Sequence, residues 1–242
     1  MLKLACWIGL LVALSIPSST LGQNPGQASG VTGQDETTAQ EVVAKYLETI
    51  GGVDAIKAVE SKRMTYWVHM FGRDAYKMER IWTRPNTMRT GFPGAPAYTL
   101  TEGGKSWRVG PEGRQELPEG VAGSLSKLAD IDGPLVDPAE KNITLAYSGV
   151  VRYDMSELHH VTVTFGDGAQ WELYFDSRTG LLRKMTQPSY YMLNNEISRG
   201  PDTDTYYYDY RPVGSLLFPH FWVQASEDHT HLLVVDEITL GE

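Results

Sequence analysis

Residues 205–220 read TYYYDYRPVGSLLFPH, and four of the chain's thirteen tyrosines, Tyr206, Tyr207, Tyr208 and Tyr210, fall within five positions of it. Three structures compete for such a run: a stacking platform for bases or sugars, a cofactor box, or ordinary β-structure. Alternation favours the last. Tyr206, Tyr208 and Tyr210 share one face of a strand, and Tyr207, Asp209 and Arg211 share the other. Pro212-Val213-Gly214-Ser215 then turns the chain into a second apolar run, Leu216–Gln224. The stretch predicts a two-sided strand in a hairpin, with the phenol hydroxyls at wet margins because tyrosine has an apolar body and a polar tip.

The charge balance agrees. Lysine and arginine total 21 against 30 aspartates and glutamates, a net charge of −9. An acidic chain is a poor electrostatic partner for nucleic acid or an anionic membrane surface. The first 22 residues, MLKLACWIGLLVALSIPSSTLG, carry Lys3 as their only charge, an apolar run from Leu4 to Ile16, and small residues before Gln23. They predict a secretory signal peptide cleaved near Gly22, too short and wrongly flanked for a spanning helix. The single cysteine, Cys6, precedes the apolar run and leaves with the signal, whereas a lipid-attachment cysteine would follow it. The exported chain then has no disulfide, and its core must hold the fold alone.

Residues 23–36 are rich in Gly, Gln and Ser without periodicity and predict a flexible leader. One domain is expected over 37–242. It opens with a helix: Thr38 and Glu41 have capping-box spacing, Val42, Val43, Tyr46, Leu47 and Ile50 recur on one face, and Gly51-Gly52 end it. From Met64 onward about eleven short runs rich in β-branched and aromatic residues alternate with turn sequences such as Phe71-Gly72-Arg73-Asp74 and Gly166-Asp167-Gly168. Only 118–137 interrupts them, with Val121, Leu125 and Leu128 at helical spacing before Asp132-Gly133-Pro134. The expected fold is mainly β with a few helices. About eleven strands at short spacing imply an antiparallel sheet, curled or partly closed, that turns its concave face toward the N-terminal helix and the helical insert at 118–137.

Catalytic and metal signatures are weak. His229 and His231 alternate but lie in turn-like composition, His159 and His160 point to opposite faces of a strand, and there is no His-Glu-x-x-His. No Gly-x-Ser-x-Gly, phosphate loop or dinucleotide fingerprint occurs. Asn142-Ile143-Thr144 matches a glycosylation sequon, a tripeptide common by chance. No enzyme, metal or cofactor is therefore expected. What remains is apolar: Tyr76, Met78, Arg80, Trp82 and Arg84 share a face of one strand, either as core or as the wall of a lipid-sized hollow. An arginine on such a face is informative, since an unpartnered guanidinium is costly to bury; Arg80 or Arg84 should meet carbonyls or a carboxylate.

Trp82-Thr83-Arg84-Pro85-Asn86-Thr87-Met88, followed by Gly104-Lys105-Ser106-Trp107 and Pro111, resembles the periplasmic lipoprotein-carrier (LolA-like) family. The later Tyr208-Asp209-Tyr210-Arg211 through Leu217-Phe218-Pro219-His220 is similar to hairpins of broader outer-membrane lipoprotein-sorting relatives. The resemblance spans roughly residues 39–240. It implies a half-open antiparallel β-barrel of about eleven strands, covered by the N-terminal helix and a mid-chain helical lid, with an apolar interior that accepts acyl chains. The expected protein is a periplasmic monomer with membrane-bound donor and acceptor proteins as partners. It further implies that Arg84 hydrogen-bonds to the lid and holds the empty cavity closed. The ligand-contacting residues expected on this reading are Tyr76, Met78, Trp82, Arg84 and Trp107, with both tryptophans near the mouth. The leading function is a non-catalytic periplasmic carrier of lipid or lipoprotein acyl chains. The alternatives are a sensing or protein-interaction module with a filled β-core and, more weakly, a carbohydrate-active enzyme.

Overall fold

The computed structural model describes residues 37–193, 196–227 and 229–241; the expected signal peptide, Cys6 and the leader lie outside the described residues. Three helices, α1 (Ala39–Thr49), α2 (Val53–Lys57) and α3 (Glu119–Ala129), accompany fifteen strands. The strands are β1 (Ser61–Met70), β2 (Tyr76–Thr83), β3 (Thr87–Gly91), β4 (Tyr98–Glu102), β5 (Lys105–Gly110) and β6 (Gly113–Glu116) before α3. After it come β7 (Thr144–Tyr153), β8 (Ser156–Thr164), β9 (Gln170–Asp176), β10 (Leu182–Gln187), β11 (Tyr190–Leu193), β12 (Glu196–Arg199), β13 (Thr203–Val213), β14 (Leu216–Ala225) and β15 (Thr230–Gly241).

Thirteen of these strands form one antiparallel sheet in the order β6-β5-β4-β3-β2-β1-β15-β14-β13-β10-β9-β8-β7, and β11–β12 is a separate hairpin between β10 and β13. The sheet therefore has two more strands than the expected barrel, and it stays open, because its edges β6 and β7 do not pair. Those edges are consecutive strands, joined by residues 117–143, so the segment containing α3 links one lip of the curved sheet to the other. The strands absent from the sequence reading, β3, β6, β11 and β12, are all short. β6 (GRQE) is exposed throughout and carries no apolar residue to reveal a period of two.

The core lies on the concave face. Register carries one row of core-packing residues across the sheet: Trp222 opposite Tyr207 and Leu233, Leu233 opposite Val68, and Val68 opposite Tyr76. Val161, Val163 and Phe175 are almost wholly inaccessible at the other end. Helix α1 covers them: its capping box forms in both directions, and Tyr46 meets the Phe175 ring at 5.2 Å between centroids. At the end of α1, Gly51 has φ +125° and sits against the β13–β14 turn. A Cβ there would stand 2.4 Å from the Ser215 carbonyl oxygen, so only glycine permits the Leu217 amide to bond to Ile50.

The tyrosine run is a hairpin strand, β13 paired with β14. Its alternation breaks at Asp209, which takes the left-handed conformation at φ +53°. As a result Tyr207 and Tyr210, an odd and an even position, both reach the interior. Burial pushes both phenols well above the usual tyrosine range, as it does Tyr46, to about 12. Tyr210 donates to the Leu182 carbonyl at 2.8 Å, while Tyr206 and Tyr208 stay on the outer face beside Lys184 and Arg183. Not all the hydroxyls lie at wet margins: two serve the core. No helix among the described residues is long and apolar enough to cross a membrane.

Candidate functional site: the concave wall and its arginine tie

Strand β2 supplies the wall. Trp82 is buried, and the even-numbered residues Tyr76, Met78, Arg80 and Trp82 share its face, with Tyr76 and Met78 packed on the core. Met88 lies opposite Trp82 on β3 and extends the wall. Three of the five expected contact residues thus fall together. Trp107 does not join them. Register runs from Trp82 to Met88, from Met88 to Thr101, and from Thr101 to Ser106, so Ser106 shares the face of Trp82 and Trp107 takes the opposite one. There its ring lies 5.1 Å from the Arg114 guanidinium. Buried Thr101 and Ser106 satisfy each other at 2.9 Å.

Helix α3 rests on this part of the sheet, against β3, β4 and β5. Its sequence, EGVAGSLSKLA, contains two glycines, and its N-cap is Pro118 with no side-chain cap. Each interior glycine costs about 1 kcal/mol relative to alanine, so α3 depends on what it touches. Three ties hold it. The Trp82 indole N–H donates to the Leu128 carbonyl at 2.8 Å. Lys127 pairs with Asp167 of the β8–β9 turn at 2.5 Å. The third tie is Arg84.

Arg84 follows β2 in the turn to β3, where Asn86 occupies the left-handed region at φ +66°, as asparagine readily does. Its Nε donates to the Val59 carbonyl at 2.9 Å, and its Nη2 to Lys57 at 3.0 Å and Ile56 at 3.3 Å. Its Nη1 and Nη2 also grip the two oxygens of Asp132, at 2.9 and 2.6 Å. One side chain thereby joins β2, the end of α2 and the segment leaving α3. Asp132 is fixed from behind: Asp130 accepts from its amide and from Lys141, which also donates to Gly133. The expectation for arginine on this face is met by Arg84, with both carbonyls and a carboxylate. Arg80 meets neither: its Nε has no partner, and its Nη2 reaches only the Tyr66 hydroxyl at 3.5 Å.

Lys62 was absent from the candidate residues. It lies opposite Trp82 on β1 and on the same face, with its Nζ 4.1 Å from the Trp82 ring centroid and 5.4 Å from that of Phe218. Burial, and then the charge of Arg80, pulls its ammonium down to about 8.

Beside α3 runs a cleft of about 240 Å³, bordered by Leu128, Lys127, Trp171, Pro188 and Tyr190. It is smaller than the roughly 300–1,000 Å³ of small-molecule pockets. An adjoining cleft of about 470 Å³ is polar, lined in part by Glu172, Arg199 and Asp202. Among the described residues no group of three or more histidine, cysteine or acidic side chains is placed to hold a metal ion.

No family model and no curated protein matches the chain. Solved structures do. A LolA superfamily protein from Nitrosomonas europaea is similar at a TM-score of 0.57 and 11% identity, over 86% of this chain and 95% of that one. A DUF1329 family protein from Desulfovibrio piger is similar at a TM-score of 0.50 and 8% identity, over 84% of this chain and 91% of that one. At these identities the likeness is one of architecture, and the fold of this chain is LolA-like.

Proposed function

We propose that this protein is an exported, periplasmic, non-catalytic binder of acyl lipids or lipid-modified proteins, which sheltered chains enter by displacing α3 from the concave wall. The observation that carries this reading is the cover itself. A glycine-bearing helix without a side-chain N-cap lies in the segment that joins the two edges of an open sheet, and it is held to the sheet by polar ties and by Leu125 and Leu128 packed on the core. Acyl burial supplies the driving force, at about 0.8 kcal/mol per CH₂ removed from water. The fold it shares with a LolA superfamily protein supports the same reading. A second reading is a sensing or protein-interaction module. It draws on the packing of Val161, Val163 and Phe175, which are almost wholly inaccessible and belong to one apolar core with residues of α1.

Arg84→Leu separates the two. If Arg84 stabilises the covered state, its removal raises the population competent to bind, and apparent affinity rises with that fraction. The expected result is roughly tenfold tighter binding of a long-chain fluorescent fatty acid, with slower release, while the sheet stays folded. Native mass spectrometry of gently purified wild type should show co-purified lipid. Binding and release at wild-type rates would remove Arg84 as the closing tie, and a wild type that binds no lipid would leave the module reading in place.

A further inference from the structure

Two cations face the interior of an acidic protein and have no counter-ion. Lys62 and Arg80 project from the concave faces of β1 and β2 and flank Trp82, the guanidinium 5.5 Å from the ring centroid and the ammonium 4.1 Å. Among the described residues Lys62 makes no hydrogen bond or ion pair, and the Nε of Arg80 is buried without a partner. Asp132, whose charge reaches Lys62, is already held on both oxygens by Arg84. The other inward neighbours, Met64, Tyr66, Met78 and Phe218, offer no anion.

Such an arrangement is unfavourable in the empty protein. Each withdrawn charge loses hydration, the two repel, and cation–π contact with one indole offsets only part of that. Other arginines of this sheet find carboxylates, Arg63 in Glu79 and Glu237 and Arg114 in Glu102. Lys62 and Arg80 sit on the inward face beside Trp82, where the proposed acyl chain would enter, next to the Arg84 tie.

We propose that Lys62 and Arg80 form an anion site on the concave wall, which receives the carboxylate or phosphate of an anionic acyl lipid whose tail lies along Met78 and Tyr76. The proposal rests on the lipid-binding reading and adds the ligand's charge to it. The bound headgroup satisfies the free donors, and the tail displaces the cover. The anion is recognised at the wall, so a headgroup without a tail binds poorly.

The test is a set of titrations by calorimetry with four probes: palmitate, a palmitoyl lysophosphatidic acid, the neutral monopalmitoyl glycerol, and inorganic phosphate. Both anionic lipids should bind at least tenfold tighter than the neutral one, and phosphate alone should bind negligibly. Lys62→Met and Arg80→Met, each keeping the apolar stem, should erase most of that preference by weakening the two anionic lipids. Lys62→Arg should retain it. A headgroup preference between palmitate and the lysophosphatidic acid identifies which anion the site fits. Equal binding of charged and neutral lipids, or an anionic preference that survives both methionine variants, overturns the anion site and leaves the carrier standing. Binding of none of the three lipids overturns both.

Discussion

Trp82→Ala should lower the free energy of unfolding by about 3–5 kcal/mol, whereas Trp107→Ala should lower it by about 1 kcal/mol or less. Both tryptophans were expected at the mouth of a hollow, where truncation costs little because few partners are lost. The structure separates them. Trp82 is only 7% exposed, faces Met88 and Lys62, and donates its indole N–H to α3. Its removal leaves a cavity and an orphaned carbonyl at Leu128 together. Trp107 lies on the outer face, where solvent and Arg114 already share its surface. Urea unfolding of the two variants beside wild type measures the difference. Equal, small losses would mean that α3 is not seated on Trp82.

Lys62→Met should stabilise the empty protein at pH 7, by about 1 kcal/mol, because the lysine is partly buried and loses part of its hydration. The gain should fade as pH rises. In the folded chain the Lys62 ammonium is pulled from 10.5 to about 8, mainly by burial and then by Arg80, with Asp132 opposing. Below about pH 8 the folded protein carries that charge at full cost. Between 8 and 10.5 the unfolded chain binds more protons than the folded one, so this group makes wild-type stability rise with pH across that window. The variant has no such group, and the two curves converge near the upper limit. Unfolding midpoints at pH 7 and pH 9.5 give the comparison. A variant less stable than wild type at pH 7, or a difference independent of pH, would place the ammonium in water instead of against the wall.

Much of the fold could be read directly because local chemistry dictates it. Thr38 and Glu41 cap α1 as their spacing requires, and every alternating run from Arg63 onward became a strand. Arg84 was legible as an arginine needing partners, although nothing in the sequence names Asp132, 48 positions later, as the carboxylate that grips it. What failed depended on register. The parity that sends Trp107 outward is transmitted through β3, a strand whose TMRTG sequence has no clear period, so the face could not be counted across it. The inward turn of Tyr210 depends on one left-handed residue, Asp209, which breaks the alternation that the tyrosines display. Lys62 left a usable signal: in SKRMTYWVHM it falls in phase with Met64, Tyr66 and Val68, a lysine on the apolar face of its strand.

The proposed carrier depends on α3 as a cover that acyl ligands lift from the concave wall. Hydrogen exchange of residues 119–129, followed with and without saturating palmitate, tests this most directly. The amides of α3 should lose protection when the fatty acid binds, because the Leu128, Lys127 and Asp132 ties open together, while the strands that α3 covers keep theirs. Unchanged or increased protection of α3 in a palmitate-saturated protein would contradict the account, since the ligand would then be bound without moving the cover.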